Sequence, residues 1–561
     1  MAEANRSADT VLHNGRVLTV DAGSSIQSAV AIRGGAIQAI GSDADVMALV
    51  GRGTTVVDLQ GKTLIPGIID VHAHMDREGL KGILPSLEDA RSIADIQELI
   101  RSEVERKRPG EWVVTMPVGD PPNYADATAT LAEGRYPTRW DLDQAAPDNP
   151  VYIKGTWTPW NVPPSVSVAN SMALRLAGVD RNTSGPDTSV TIEKSADREP
   201  TGIFFDDNLY PTVEFTLMRV VPRFEHAQRV KALRESMRMY NAVGTTGTYE
   251  GHGVAPEVLR AYKEVWDTGE MTVRSHLTLS PAWESLAQAE RDVELWAHTA
   301  SGQGFGDDML KLTGVYLQSG GSEYVARARS AELPYTGWAG FAQTHYPPEL
   351  FRQLVGLAAK HNLRVNSLIR DVLEDVLDVF EEVNRESAIR GRRWVLDHLT
   401  QATTEQLRRI ERLGLLVETI LLTELWLRES AYLDDTAVAD TVVAHKRYID
   451  EGIRFGFGTD NKPYSPWATF WSAVARTERR TGAVLGPDQR LTRVEALRAF
   501  TVGGAYFCFD EDRRGSLEPG KLADLAVLSD DLLDMPQEAL PELRSLLTMV
   551  GGRIVHRDEG V

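Results

Sequence analysis

Between about residues 67 and 509 the sequence alternates short apolar runs with long charged stretches, and this rhythm restricts the fold more than any other feature. Leu310 to Val315, Leu363 to Leu368, Trp394 to His398, Leu415 to Thr419 and Ile453 to Asp460 are each as long as a buried strand, and each follows a stretch of helical length. Strand followed by helix, repeated, predicts an α/β protein with a parallel sheet or barrel. Polar residues fall at the C-terminal ends of these runs, and in a βα barrel those ends form the rim that carries the site.

The two chain ends read differently. Thr10 to His13, Gly15 to Val20, Ser28 to Ile32, Ala36 to Gly41 and Thr55 to Leu59 are short β segments, with turn signals at Asn14-Gly15 and Gly34-Gly35. Leu525 to Leu528 and Leu547 to Val555 repeat the pattern. This predicts one small β-sandwich domain built from residues 1–66 and 510–561 around a body at 67–509. Residues from about 85 to 230 break the strand–helix period, with Pro-rich stretches such as Trp157 to Pro164. They are expected as an insertion over the barrel mouth.

A net charge of −20 excludes nucleic acid and anionic membrane surfaces as main partners, because both would be repelled. No apolar stretch is long enough for a signal peptide core or a membrane span, so a cytoplasmic location is expected. The expected partners are a small-molecule substrate and, in a homodimer, a second copy of the chain. Cys508 is the only cysteine, so a metal here must sit on His, carboxylate or modified Lys. Such donors suit zinc, manganese or iron.

His72 and His74 follow Pro66-Gly67 and the apolar approach Ile68-Ile69-Asp70-Val71. Two histidines at i and i+2 on a strand share a face and could grip one ion. A bare His-x-His is common in cores and on surfaces, so context decides. Here the sequence resembles the amidohydrolase superfamily, whose members carry Pro-Gly, two apolar residues, Asp-x-His-x-His at the first barrel strand. Arg514 to Leu528, with Gly515, Pro519-Gly520-Lys521 and Ala523-Asp524-Leu525, is similar to the family's return from barrel to sheet domain. Pro200 to Phe204, Asn170 to Leu174 and Gly244 to Thr248 resemble phrases of the subgroup containing N-substituted formamide deformylases.

The resemblance implies a (β/α)8 TIM-like barrel holding one or two divalent ions, with zinc and a single ion expected. It implies His398 as the sixth-strand ligand and Asp460 as the eighth-strand carboxylate that binds metal and takes a proton from water. Lys311 is similar to a fourth-strand lysine that many relatives carbamylate into a bridge. The alternative is a stem that packs while its amine reaches a carboxylate. The fifth strand departs from the family pattern: Ser367 stands where a histidine is usual, or Asn366 if the register slips by one, and neither oxygen rivals imidazole as a ligand. His252 and His345 are candidates to replace it or to touch substrate, and His398 and His252 are both candidate oxyanion stabilisers. Ser367 and Trp160 are candidate substrate contacts. The expected reaction is metal-dependent hydrolysis of a C–N bond in an amide, formamide or cyclic amide bearing an aromatic or bulky apolar group. Alternatives are cleavage of an ester, lactone or carbon–carbon bond at the same site, and a non-catalytic binding protein.

Overall fold

The computed structural model describes residues 7–119, 127–155, 164–207, 211–320, 345–369, 372–427, 436–478 and 481–558. The chain divides into two units, the first containing residues up to Met75, from Arg234 to 320, and from 345 onward, the second running from Asp76 to Leu233.

Eight parallel strands make the body of the first unit: β1 (Ile68–Asp70), β2 (Thr245–Val254), β3 (Arg274–Leu279), β4 (Leu310–Tyr316), β5 (Val365–Leu368), β6 (Val395–Asp397), β7 (Leu416–Thr419) and β8 (Arg454–Phe457). They pair in sequence order from β1 to β8. The sheet then bends round on itself. Just past the strand ends the Val71 N–H donates to the Phe457 carbonyl at 3.1 Å, and the Asp460 N–H to the His72 carbonyl at 2.8 Å. The result is the expected TIM-like barrel.

Alternation along each strand sorts side chains into two cores. Ile69 and Val71 from the β1 segment meet Tyr249 of β2, Val395 of β6 and Leu416 of β7 inside the barrel, with Ala505, Phe507 and Cys508. Their neighbours Leu396 and Val417 face outward into a second core with the surrounding helices. The helix Thr404–Leu413 shows how local sequence sets this up. Thr403 and Gln406 form a reciprocal capping box at its start, and Gly414, at φ 66°, ends it in a left-handed turn. Leu407, Ile410 and Leu413 then fall on its buried face, directly before β7.

Both chain ends build the expected sandwich. A four-stranded sheet runs Ala36–Gly41, Ala29–Arg33, Thr10–His13, Thr55–Asp58, and a six-stranded one runs Arg553–Arg557, Ser545–Val550, Leu525–Leu528, Thr63–Pro66, Arg16–Leu18, Ile26–Gln27. Leu64 pairs antiparallel with Val527, so residues more than 400 positions apart are adjacent in one sheet. Leu12, Val30, Ile32, Leu64, Leu525 and Leu547 fill the space between the sheets. The Gly67 N–H donates to the Asp524 carbonyl at 2.9 Å, so the strand that leaves the sandwich enters β1 directly.

The second unit has its own mixed sheet, ordered Val190–Lys194, Pro200–Asp206, Ser165–Ala169, Val151–Ile153, Val113–Thr115. Its core includes Ile96, Ile100, Val113, Leu142, Val151 and Val168. No described helix is long and apolar enough to cross a membrane.

Candidate metal centre

β1 stops at Asp70, so His72 and His74 lie just beyond the strand rather than on it. Their side chains converge nonetheless, because the bent segment is bonded to both neighbours. The His72 carbonyl accepts from Asp460, and the Ala73 N–H donates to the Tyr249 carbonyl at 3.2 Å. Asp70 adds a clasp, accepting the N–H groups of His72 and Thr459 at 3.1 Å each and the Thr459 hydroxyl at 2.6 Å. Asn461 adds another: its Oδ1 accepts the His74 N–H at 3.0 Å and the Tyr240 hydroxyl at 2.7 Å, and its Nδ2 donates to the His74 carbonyl at 2.9 Å.

On the other strands His398 directly follows β6 and Asp460 lies three residues beyond β8. His398, Asp460 and Asn461 have φ of 59°, 50° and 55°, a left-handed conformation that non-glycine residues seldom adopt. Such strain persists only where surrounding contacts enforce it, and it collects at functional sites.

Four imidazoles and a carboxylate therefore gather in a buried space. The His72 ring centroid is 5.1 Å from that of His74, 4.4 Å from His252 and 4.7 Å from His398. His72 Nε2 lies 3.4 Å from His398 Nε2, and His74 Nε2 lies 3.1 Å from Asp460 Oδ1. Among the described residues, two of the three sets whose ligand atoms lie mutually within 4.8 Å are His72, His252 and His398, and His72, His74 and Asp460. Two ligands of a tetrahedral ion with bonds of about 2.0 to 2.1 Å lie about 3.3 Å apart, so the His72 and His398 nitrogens fit a shared divalent cation.

Glutamates behind the rings orient them. Glu418 Oε2 is 3.2 Å from His72 Nδ1 and also accepts the His398 N–H at 2.8 Å. Glu250 Oε2 is 3.7 Å from His74 Nδ1, while its Oε1 accepts the Tyr262 hydroxyl at 2.8 Å and the Met75 N–H at 3.1 Å. A ring whose Nδ1–H faces a carboxylate presents the Nε2 lone pair on its other side. His72, Asp397 and Glu418 also lie within range of one ion. A neutral imidazole has one lone pair, however, and His72 directs Nε2 to the histidine cluster, so Glu418 serves as an orienting partner.

The electrostatics follow from burial and crowding. Burial drives the His252 imidazole well below its usual basicity, and its three histidine neighbours add to this. Burial also lowers His72, but Glu418, Asp460 and Asp397 outweigh it and hold the ring up at about 9. Burial raises the Asp397 carboxyl well above its usual range, against the pull of His72. Asp460 is likewise penalised by burial, yet Lys462 and His74 hold it well below the carboxylate range. Close packing leaves no room for side chains at two glycines. A Cβ on Gly458 would lie 2.2 Å from the His72 Cβ, and one on Gly251 would lie 2.5 Å from His72 Nδ1.

The structure thus brings together His72, His74, His252, His398 and Asp460. Lys311 is elsewhere. It sits at the N-terminal end of β4, its Nζ 3.8 Å from Asp510, whereas Tyr316 at the other end of that strand touches His252, ring centroids 5.2 Å apart. Five residues of strand span roughly 16 Å, too far for a carbamate on Lys311 to reach the histidines. Ser367 also points away. Asn366 faces the barrel interior, accepting the Tyr249 hydroxyl at 2.7 Å and donating to the Gly251 carbonyl at 2.9 Å. Ser367 pairs with outward-facing Leu396, on the opposite side of β5. The side chain of His345 and all of Trp160 lie outside the described residues; His345 is placed only by its backbone, which pairs with Gln318.

Sequence reasoning missed Asp70, Glu250, Asp397, Glu418, Asn461 and Lys462. A signal existed for two of them: Asp397 and Glu418 are acids at or near the ends of short, largely apolar strands, where a charge is costly without a partner.

Comparison with known proteins agrees with this architecture. Residues 55–556 match the model of the Amidohydrolase family. The chain is similar to the N-substituted formamide deformylase of Arthrobacter pascens, 27% identical over 578 residues that cover 98% of this chain and 99% of that protein. Among solved structures, an uncharacterized metal-dependent hydrolase from Pyrococcus horikoshii OT3 superposes with a TM-score of 0.67 at 21% identity, covering 94% of this chain and 99% of that one. An adenosine deaminase from Xanthomonas campestris with bound zinc superposes at 0.50 and 15% identity, covering 99% and 94%. With a family match spanning sandwich and barrel, and the histidine cluster at the barrel's C-terminal end, the chain belongs to the amidohydrolase family and is a metal-dependent hydrolase.

Proposed function

We propose that the protein hydrolyses a C–N bond in an amide, formamide or cyclic amide, using one divalent ion, zinc, held by His72, His74, His398 and Asp460. The observation that carries this is a pair of buried donor sets that share His72, one with His74 and Asp460 and one with His398 and His252, in which His72 Nε2 lies 3.4 Å from His398 Nε2 and His74 Nε2 3.1 Å from Asp460 Oδ1. Zinc is favoured by the imidazole-rich donor set and by the bound zinc of the similar deaminase structure. When bound, the ion supplies Lewis acidity, polarising the substrate carbonyl and making water acidic enough to act at neutral pH.

The chain's own residues do the rest. Asp460, kept ionised beside Lys462, accepts the proton of the attacking water on Oδ1 and returns it to the leaving nitrogen. His252, kept neutral by burial and stacked on His398 with ring centroids 5.2 Å apart, can donate to the developing oxyanion. Tyr316 against His252 places an aromatic face beside the cluster, which supports a substrate with an aromatic or bulky apolar group. The likeness to the formamide deformylase puts N-substituted formamides first among substrates to try.

Asn366, bonded to Tyr249 and Gly251, leaves the fifth strand without a ligand histidine. That absence supports a second reading, in which the same centre cleaves an ester, lactone or carbon–carbon bond. Assay of the zinc-loaded enzyme on matched aryl formamides, aryl amides and aryl esters separates the two. The first reading expects the nitrogen series to turn over at least about tenfold faster in kcat/KM. Faster ester cleavage would overturn it, and protein that binds no divalent metal would overturn both.

A further inference from the structure

Lys462 is used by no motif and no ligand set, yet it is fully buried two residues after Asp460. Its Nζ contacts Asp460 Oδ2 and lies 3.5 Å from the Thr423 hydroxyl. A buried ammonium is costly to desolvate and is retained only with a charged or strongly polar partner. The partner here is the very carboxylate that, through Oδ1, joins His74 at the metal centre. Oδ1 of Asp460 thus faces His74, while Oδ2 contacts the ammonium and lies 3.8 Å from His398 Nε2.

This arrangement matches what the centre lacks. Among the described residues no donor from β4 or β5 reaches the centre to bridge two ions: Lys311 is at the far end of β4 and Asn366 is bonded to β2, although His252 stands beside His72 and His398. We infer that Lys462 is a positioning residue acting as a built-in cation: it takes the place of a second ion as the counter-charge of Asp460, holds Oδ1 toward the histidines, and restricts the site to one metal. The inference rests on the metal reading proposed above. Two consequences follow from Coulomb's law. In the metal-free protein the ammonium stabilises the buried carboxylate. In the loaded protein it repels the dication, so affinity is set lower than the donors alone would give.

The test is metal-binding calorimetry with zinc and manganese, together with thermal melts of metal-free and loaded protein, on the wild type, Lys462→Met, Asp460→Asn and the double variant. Wild type is expected to bind one ion. Lys462→Met is expected to melt lower when metal-free, to bind zinc at least about tenfold more tightly, and to gain more in melting temperature on loading. A variant that folds only when loaded would give the same answer. Equal metal-free stability with affinity within twofold of wild type would overturn the inference, as would two ions in the wild type. Should Lys462→Met fail to fold in either condition, the double variant decides. Asp460→Asn alone leaves the ammonium facing a neutral amide, so also removing Lys462 should raise the melting temperature, and no rise would overturn the inference. Wild type that binds no metal would instead overturn the metal reading itself, a distinct result.

Discussion

The barrel carries two buried clusters of ionisable groups, one at each end, built from similar residue types. At the C-terminal end four histidines surround Asp460. At the N-terminal end His276 Nε2 lies 3.3 Å, Arg514 Nε 3.0 Å and Lys311 Nζ 3.8 Å from the single carboxylate of Asp510. The difference is the sign of what converges. At the floor, the Arg514 and Lys311 cations and the His276 ring, which burial keeps neutral, close on one anion and satisfy it, so the cluster is a structural tie between β3, β4 and the segment after the barrel. At the rim, imidazole lone pairs and carboxylates converge with Lys462 as their one contacting ammonium among the described residues, which is what a divalent cation requires. A histidine beside an acid is therefore not a metal site by composition alone, and the direction of the lone pairs decides.

Perturbing each end should give opposite signatures. The largest effect is expected at the rim, where His74→Ala should lower metal affinity by about a hundredfold or more and kcat/KM by roughly a thousandfold or more, by calorimetry and steady-state assay. Retained affinity would move the metal away from His74. At the floor, Asp510→Asn should cost about 3 to 5 kcal/mol in denaturant unfolding, because it strands buried cations, while metal stoichiometry stays unchanged. The pH sign can be checked on the same variant. Burial raises the Asp510 carboxyl, but His276, Arg514 and Lys311 hold it far below the ordinary range. Its stabilisation is therefore full above about pH 4 and is lost as the pH falls toward the folded value, so wild type should lose this margin in acid and Asp510→Asn should have none to lose.

A packing change at the rim should come next. Gly458→Ala puts a methyl into the His72 Cβ, and a loss of about 2 kcal/mol with weakened metal binding is expected from overpacking. The smallest effect is Lys311→Met. Its side chain is 17% exposed and its ion pair is long, so a loss of about 1 kcal/mol or less is expected, with unchanged metal content. A fall in metal content there would revive a carbamylated bridge.

Much of this was legible in the sequence, for physical reasons that can be named. The apolar runs at 310–315, 363–368, 394–398, 415–419 and 453–460 became β4 to β8 because a strand covered on both faces must be apolar nearly throughout. β3 was not apparent. Arg274-Ser275-His276-Leu277-Thr278-Leu279 reads as polar, and only in three dimensions does Asp524 bind Arg274 at 2.7 Å and Asp510 meet His276. His72, His74, His398 and Asp460 were visible because each stands beside a strand in a phrase of fixed order. Glu250, Glu418 and Lys462 act through groups far along the chain or across the barrel, and no spacing rule reveals that. Lys311 is ambiguous in the sequence for the converse reason: a lysine in an apolar strand stands out, but which end of the barrel it occupies depends on the strand's extent.

On the proposed reading, the histidine cluster holds one divalent ion. Anomalous diffraction at the zinc edge from zinc-loaded crystals tests it most directly. One peak per chain within about 2.3 Å of donor atoms of His72, His74, His398 and Asp460 is the expected result. Two peaks, a peak beside Lys311 and Asp510, or none at the histidines would contradict it.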